Sequence, residues 1–124
     1  MAETLSVQME KILDEYSERV KNVTNVAMNR VSRECVKQLR NTSPKKTGDY
    51  AKGWGIKKMV SHGDIADIIV CNQTEYSLTH LLENGHVVRN KKGVFGRAPA
   101  HPHIKPVEEW ANRELPEEIE RELR

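Results

Sequence analysis

The feature that most constrains the fold is a long N-terminal stretch, residues 1–43, that contains no glycine and no proline. The pattern predicts a helix over residues 1–40, capped at its start by Thr4 or Ser6 and stopped by Ser43-Pro44. Its apolar residues recur in steps of three and four, which places them on one helical face; they are Leu5, Met9, Ile12, Leu13, Tyr16, Val20, Val23, Ala27, Val31, Cys35 and Leu39.

The length of this helix is a problem for a single domain. An unbroken helix over residues 3–40 would be about 57 Å long, whereas a chain of 124 residues folds into a domain roughly 35 Å across. Either the helix breaks at 22–25, where helix propensity is low, or its apolar face projects and is covered by another subunit. We expect the second. The candidate interface residues are Val20, Val23 and Ala27, and an aspartate at Val20 or Val23 is predicted to disrupt assembly.

The middle of the chain, residues 47–89, has the pattern of a small antiparallel sheet. A strand is predicted over Tyr50–Val60, with Tyr50 and Trp54 as anchors, and a dense apolar run over Ile65–Cys71 is predicted to return beside it. The other expected features are a tight entry at Thr47-Gly48, a turn at His62-Gly63-Asp64, a short helical segment from Tyr76 to Leu82 that ends at Asn84-Gly85, and a third strand over His86–Arg89.

The last part of the chain divides into a loop and a helix. Residues 90–103 combine glycine, proline and cations with few apolar anchors, which predicts a flexible surface loop. Residues 104–124 repeat apolar side chains at helical spacing, with Pro106 in the first turn and Pro116 expected to kink or divide the helix. The sequence therefore predicts one α+β domain, 1–124, in which N- and C-terminal helices flank a small sheet.

The net charge of +2 conceals a segregated distribution. Residues 41–105 carry ten cationic side chains against five acidic ones, whereas residues 106–124 carry three against seven. A basic middle and an acidic tail favour contact between copies over a broad face for nucleic acid. Lys91, Lys92 and Arg97 are candidate interface residues, expected to meet the acidic C-terminal helix of the next subunit. Such cations could also contact phosphates without reading sequence.

The histidines are the strongest candidates for chemistry. His80, His86, His101 and His103 lie in a short segment with Glu83, and His101-Pro-His103 would put two imidazoles on one side of an extended chain. The spacing matches no well-specified zinc motif, so the alternative is that these rings only make structural hydrogen bonds. A metal-dependent protein acting on nucleic acid is the runner-up function.

Other catalytic arrangements find no support in the sequence. Cys35 and Cys71 lie in apolar runs, and there is neither a GxSxG elbow nor a phosphate-binding glycine motif. We expect a protein that is not an enzyme and needs no cofactor. The N-terminus has no signal-peptide pattern, and no stretch is long enough to span a bilayer, so we expect synthesis in the host cytoplasm and no membrane partner.

Several blocks occur in a recognisable order. They are Ser43-Pro44 with Thr47-Gly48-Asp49-Tyr50 and Trp54, then Tyr76-Ser-Leu78-Thr79-His80-Leu81-Leu82-Glu83-Asn-Gly85-His86, then His103-Ile104-Lys-Pro106. Together they resemble the gene-product-ten-like family of siphophage proteins, which are neck or tail-completion components encoded among the head–tail joining genes.

The resemblance implies a structural subunit of the virion at the head–tail junction, arranged in a homo-oligomeric ring. The implied partners are copies of itself, other phage neck and tail proteins, and DNA that passes through the channel without sequence readout. The residues that carry the motif are expected to have structural roles: Gly48, Tyr50, Trp54, Tyr76, His80, Glu83, Gly85, His86, His103 and Pro106.

Overall fold

Two long helices frame the structure, a computed structural model that describes residues 4–45, 48–59 and 67–124. Helix α1 (Leu5–Thr42) and helix α4 (Ile104–Leu123) pack against each other. Between them lie α2 (Asp49–Lys52), β1 (Trp54–Met59), β2 (Asp67–Asn72), a 3-10 turn (Tyr76–Leu78), α3 (Thr79–Asn84), β3 (His86–Asn90) and β4 (Gly93–Ala98). The predicted α+β class is confirmed.

Helix α1 is continuous, so the alternative of a break at 22–25 is wrong. It begins as predicted, with the Thr4 hydroxyl accepting a hydrogen bond from the Val7 N–H at 3.3 Å. It ends where the Ser43 N–H donates to the Leu39 carbonyl at 2.9 Å. Packing against α4 supports the segment of low propensity, because tertiary contacts override small propensity differences.

Helix α4 runs antiparallel to the second half of α1. Near its middle, Glu118 and Glu114 lie 2.5 Å and 3.4 Å from the Arg30 guanidinium. Near its end, Arg19 donates to the Glu122 carbonyl at 3.0 Å. Helix α4 therefore follows α1 back only as far as Arg19, and the rest of α1 extends beyond it.

The predicted division of α4 at Pro116 is wrong, whereas Pro106 lies in the first turn as expected. Pro116 is inside a single helix of 20 residues. A proline removes one backbone donor and crowds the preceding turn. Here the helix is held against α1 on both sides of the proline, because Arg30 pairs with Glu114 before it and with Glu118 after it.

A small hydrophobic core lies where α1, α2, β1 and α4 meet. Its buried members come from all four elements, and they are Val31, Cys35, Val36, Leu39, Tyr50, Trp54 and Val107. Ile56, Val70, Leu82 and Trp110 pack around its edge. The second half of α1 thus supplies most of the core, and the first half supplies none of it.

The first sheet is an antiparallel pair of β1 and β2, in a register that places Trp54 opposite Asn72 and Met59 opposite Asp67. The predicted turn at His62-Gly63-Asp64 lies outside the described residues. The strand begins later than expected, because Tyr50 belongs to α2. Asn72 holds it there, since its amide donates to the Tyr50 carbonyl at 2.6 Å.

The second sheet is a separate antiparallel hairpin of β3 and β4, so the prediction of a loop over 90–103 is wrong across Gly93–Ala98. Val87 pairs with Arg97 and Arg89 with Val94, so three residues of β3 face four residues of β4. The extra residue is a bulge, and Gly93 and Gly96 adopt positive φ angles of 129° and 109°. The glycines that suggested a loop instead provide the turn and the bulge.

The position of Pro116 predicts the effect of replacing it. We expect Pro116→Ala to raise the free energy of unfolding by about 1–3 kcal/mol, because alanine restores a backbone donor and relieves crowding inside the helix. Urea unfolding measures the change. The matched control is exposed Glu117→Ala, expected within about 0.5 kcal/mol of wild type. A loss of stability in Pro116→Ala would show that α4 needs the proline to pack against α1.

Candidate functional site

Four of the residues singled out in the sequence form one buried group, here called the His103 cluster: Tyr50, Trp54, Glu83 and His103. The His103 side chain is almost fully buried, and its Nε2 lies 2.7 Å from the Tyr50 hydroxyl. The rings of Tyr50 and Trp54 stand edge-on to the imidazole, with centroids 5.5 Å and 6.1 Å away. The Trp54 indole N–H donates to the Ser43 hydroxyl at 2.7 Å, which satisfies its polar atom.

Glu83 caps the N-terminus of α4 from a distant part of the chain. Its carboxylate accepts hydrogen bonds from the backbone N–H groups of His103, Ile104 and Lys105 at 2.8, 3.0 and 3.1 Å. These are the donors that a helix start leaves unpaired. Helix α4 has no side-chain cap of its own at His103, so Glu83 supplies it.

The electrostatics of this cap follow from its surroundings. Burial acts to raise the pKa of the Glu83 carboxyl, but the three backbone hydrogen bonds and the nearby His103 ring outweigh it and lower the pKa below its ordinary value. His103 Nδ1 lies 2.6 Å from the His101 carbonyl and 3.0 Å from Glu83. Because a carbonyl oxygen only accepts, Nδ1 donates its proton there.

The hypothesis of a histidine metal site does not match this geometry. Both nitrogens of His103 are engaged by the protein, and Glu83 is committed to three backbone donors. His80 is exposed, and His86 is partly buried. Among the residues that the structure describes, no group of histidine, cysteine, aspartate or glutamate side chains is arranged to hold a metal ion.

Gly85 has a steric role at the base of the second hairpin. Its φ angle is 75°, and a Cβ added there would lie 2.7 Å from the Ala98 carbonyl oxygen. The His101 N–H donates to the Leu82 carbonyl at 2.7 Å. The end of α3 is therefore tied directly to the segment that leads into α4, which brings Glu83 to its cap position.

An apolar cavity of about 440 Å³ lies beside the core, with Tyr76 and His80 among its lining residues. Cys35 also lines it, and burial together with the charge of Glu34 raises the pKa of its thiol. A raised pKa keeps the sulfur protonated and poorly nucleophilic. The rest of the lining is mostly apolar, including Leu39, Trp54, Val70, Ile104 and Val107.

The candidate interface residues on α1 occupy different environments. Ala27 is 1% exposed in the single chain, so its methyl group is unavailable to a second subunit. Val20 and Val23 are partly buried. Ala27 therefore packs inside its own chain, whereas the interface role of Val20 and Val23 stays a prediction.

The uncovered part of that face lies nearer the N-terminus, and is here called the N-terminal apolar patch: Leu5, Met9, Ile12, Leu13 and Tyr16. Leu5 is 72% exposed, Ile12 64% and Leu13 62%. Five large apolar side chains on one helical face are unusual on a protein surface without a partner. Their positions could have been found by comparing the predicted lengths of the two helices.

A second exposed surface is formed by residues 86–98, here called the basic hairpin. Arg89, Lys91, Lys92 and Arg97 lie on it, and Arg97 donates to the Asn84 carbonyl at 3.3 Å near its base. The hairpin also exposes Val87, Val88 and Val94. It contains no aspartate or glutamate.

Comparison with known proteins adds one match. A family model described as "Bacteriophage HK97-gp10, putative tail-component" matches residues 3–85, about two thirds of the chain. The matched region contains α1 and ends just after Glu83. No curated protein and no solved structure gives a significant match. None of the helices in the described ranges has the length and apolar character needed to cross a membrane.

The cap predicts a pH-dependent contribution to stability from Glu83. Because the folded pKa of its carboxyl is lowered, the contribution is complete above the ordinary value and is lost as the pH falls through the folded value. We expect Glu83→Ala to lower the free energy of unfolding by about 1–3 kcal/mol at neutral pH.

Urea unfolding at neutral pH and near pH 3 tests the linkage to Glu83. Wild type should lose more stability on acidification than Glu83→Gln does. Exposed Glu109→Gln is the control and should behave as wild type. If Glu83→Gln has the same acid dependence as wild type, the charge of the Glu83 carboxylate does not contribute to the pH dependence of stability.

The hydroxyl of Tyr50 provides a second test of the His103 cluster. Tyr50→Phe keeps the ring contacts but leaves His103 Nε2 buried without a partner, so we expect a loss of about 1–3 kcal/mol in free energy of unfolding. Tyr16→Phe is the matched control, because that ring is exposed on α1. Equal stability of the two variants would contradict a structural role for this hydrogen bond.

Proposed function

Because the chain belongs to the HK97-gp10-like family of bacteriophage tail components, we propose that it is a neck or tail-completion subunit that forms a ring at the head–tail junction. Membership makes it a protein of the phage virion. The position at the junction and the ring are our proposals. The observation that carries them is the N-terminal apolar patch, which one copy leaves exposed.

The patch supports assembly on energetic grounds. Fully burying a leucine, isoleucine or methionine side chain contributes about 1.5–3 kcal/mol. The patch offers three such residue types and a tyrosine on one face. Coverage by another subunit would therefore contribute several kcal/mol per contact, enough to offset much of the entropy lost on association.

The proposed role is structural rather than enzymatic. The polar residues that the sequence brings together serve the fold: Glu83 caps α4, and His103 bridges Tyr50 and Glu83. Burial makes the Cys35 thiol a poor nucleophile. These assignments give Glu83 and His103 structural roles, which suits a component of a particle.

The proposed partners are copies of the same chain and the neck and tail proteins on either side of it. DNA would pass through the channel of the ring without any readout of its sequence. Assembly would take place in the host cytoplasm before the subunit enters the virion.

Deletion of the gene from the phage or prophage that encodes this chain tests the proposed role. We expect DNA-filled heads and free tails that fail to join, seen by negative-stain electron microscopy of induced lysates. Supplying the wild-type chain in trans is the control and should restore infectious particles. Complete virions without the protein, or an absence of tails altogether, would contradict a function at the junction.

An aspartate in the patch tests the ring more directly. Leu13→Asp should lower the association constant of the purified protein by at least tenfold, because a charge would enter a buried contact. The fold should survive, since Leu13 is exposed in the single chain. Sedimentation velocity measures assembly, and circular dichroism measures helix content.

Two further substitutions make that result specific. Asn22→Asp adds the same charge at an exposed position off the apolar face and should leave assembly unchanged. Ala27→Asp should instead destabilise the single chain, because that residue is buried. Normal assembly of Leu13→Asp would show that the patch is not the contact between copies.

A further inference from the structure

We propose that the basic hairpin of one copy packs along the N-terminal apolar patch of the next copy. This contact rests on the proposed ring and specifies which surfaces form it. The apolar side chains and the charges that would form this contact lie on two separate surfaces of one chain.

Both surfaces expose apolar side chains. The patch presents Leu5, Met9, Ile12, Leu13 and Tyr16. The hairpin presents Val87, Val88 and Val94, with Val94 63% exposed. A two-stranded hairpin is marginally stable alone and is stabilised by packing against a helix. The hairpin therefore lacks a helix to pack against, and the patch lacks an apolar surface that covers it.

The charges of the two surfaces are opposite. On α1, Glu10 and Glu15 lie at the two edges of the patch, whereas Asp14 and Glu18 lie with Asn22 on the opposite side of the helix. The hairpin carries four cations and no acid over 86–98. Opposite patches of this kind steer association and fix the register of a contact.

The dimensions also agree. Residues 5–18 of α1 extend about 21 Å at 1.5 Å per residue. Strands of five and six residues extend about 17–20 Å. The hairpin can therefore lie along the part of α1 that α4 leaves uncovered.

A single chain cannot make this contact with itself. The base of the hairpin is tied to the start of α4 through the His101–Leu82 hydrogen bond, and Val107 in the next turn of α4 shares the core with Leu39. Tyr16, the nearest patch residue, is about 34 Å from Leu39 along α1. The hairpin reaches at most about 20 Å.

Helix α4 of a neighbour is a poorer partner for the hairpin than the sequence alone indicated. Three of its carboxylates are already paired with arginines of the same chain: Glu114 and Glu118 with Arg30, and Glu120 with Arg124. Its described residues include no exposed large apolar side chain. It would offer the hairpin charge without apolar contact.

Pairing of two patches with each other is also disfavoured. Each patch is flanked by two carboxylates, those of Glu10 and Glu15, so a symmetric contact would bring like charges together in both copies. A hairpin-to-patch contact instead joins different surfaces at distant parts of the molecule. Repeated from copy to copy, such a head-to-tail contact closes into a ring when its rotation allows closure.

Cysteine cross-linking tests the contact on the full-length chain. In the variant carrying both Leu13→Cys and Val94→Cys, a short bismaleimide should yield a ladder of covalent oligomers. A mixture of the two single variants should yield dimers, whereas each single variant alone should stay monomeric on denaturing gels. Wild type, with buried Cys35 and partly buried Cys71, is the control for the native thiols.

The cross-linking outcomes separate this contact from the ring itself. Dimers of Leu13→Cys alone would mean that patches pair with each other, which overturns the hairpin contact but leaves self-association standing. The absence of any ladder from the double variant, at concentrations where the protein assembles, would also overturn it. Monomers at every concentration, without assembly in the first place, would refute the ring.

Charge reversal gives an independent readout. Arg89→Glu with Lys91→Glu should weaken association at least tenfold, and so should Glu10→Lys with Glu15→Lys. Combining all four changes in one chain should recover most of the lost association, because the opposite charges face each other again. Failure of the combination to recover, with both parents folded, would contradict the assigned pairing.

Discussion

The structure depends on a mismatch in length between two helices. Helix α1 has 38 residues and helix α4 has 20, so α4 covers one half of the apolar face of α1 and leaves the other half in solvent. The covered half builds the core with Leu39 and Val107. The uncovered half contributes no residue to this core, and in the proposed ring its apolar side chains are buried by a contact that one copy cannot make.

The His103 cluster decides which half of α1 is covered. Glu83 fixes the start of α4 beside Tyr50 and Trp54, and from that point α4 can only run back along α1 towards Arg19. The same ties fix the base of the hairpin, because Leu82 bonds His101 just before the cap. One buried set of hydrogen bonds therefore positions both the uncovered patch and the hairpin, without taking part in either surface.

Much of this architecture follows from periodicity. The two helices, the hairpin of β1 and β2 and the short helix before Gly85 are all readable from spacing and turn residues. The errors have physical causes. Tyr50 alternates with Trp54 as a strand would, but Asn72 bonds its carbonyl and holds it in α2. Gly93 and Gly96 look like loop residues until their positive φ angles are known. The cap by Glu83 joins residues about twenty positions apart, and no local pattern predicts it.

The two proposed contact surfaces differ in how much order they have before they meet. The patch lies on a continuous helix whose shape is already set, whereas the hairpin is an isolated two-stranded sheet of marginal stability. The conformational cost of association therefore falls mainly on the hairpin. In the proposed ring, attraction between its cations and the carboxylates of α1 would offset part of that cost, and salt would screen this attraction. Assembly and ordering of the hairpin would then be a single coupled step, and formation of the proposed ring would depend on ionic strength.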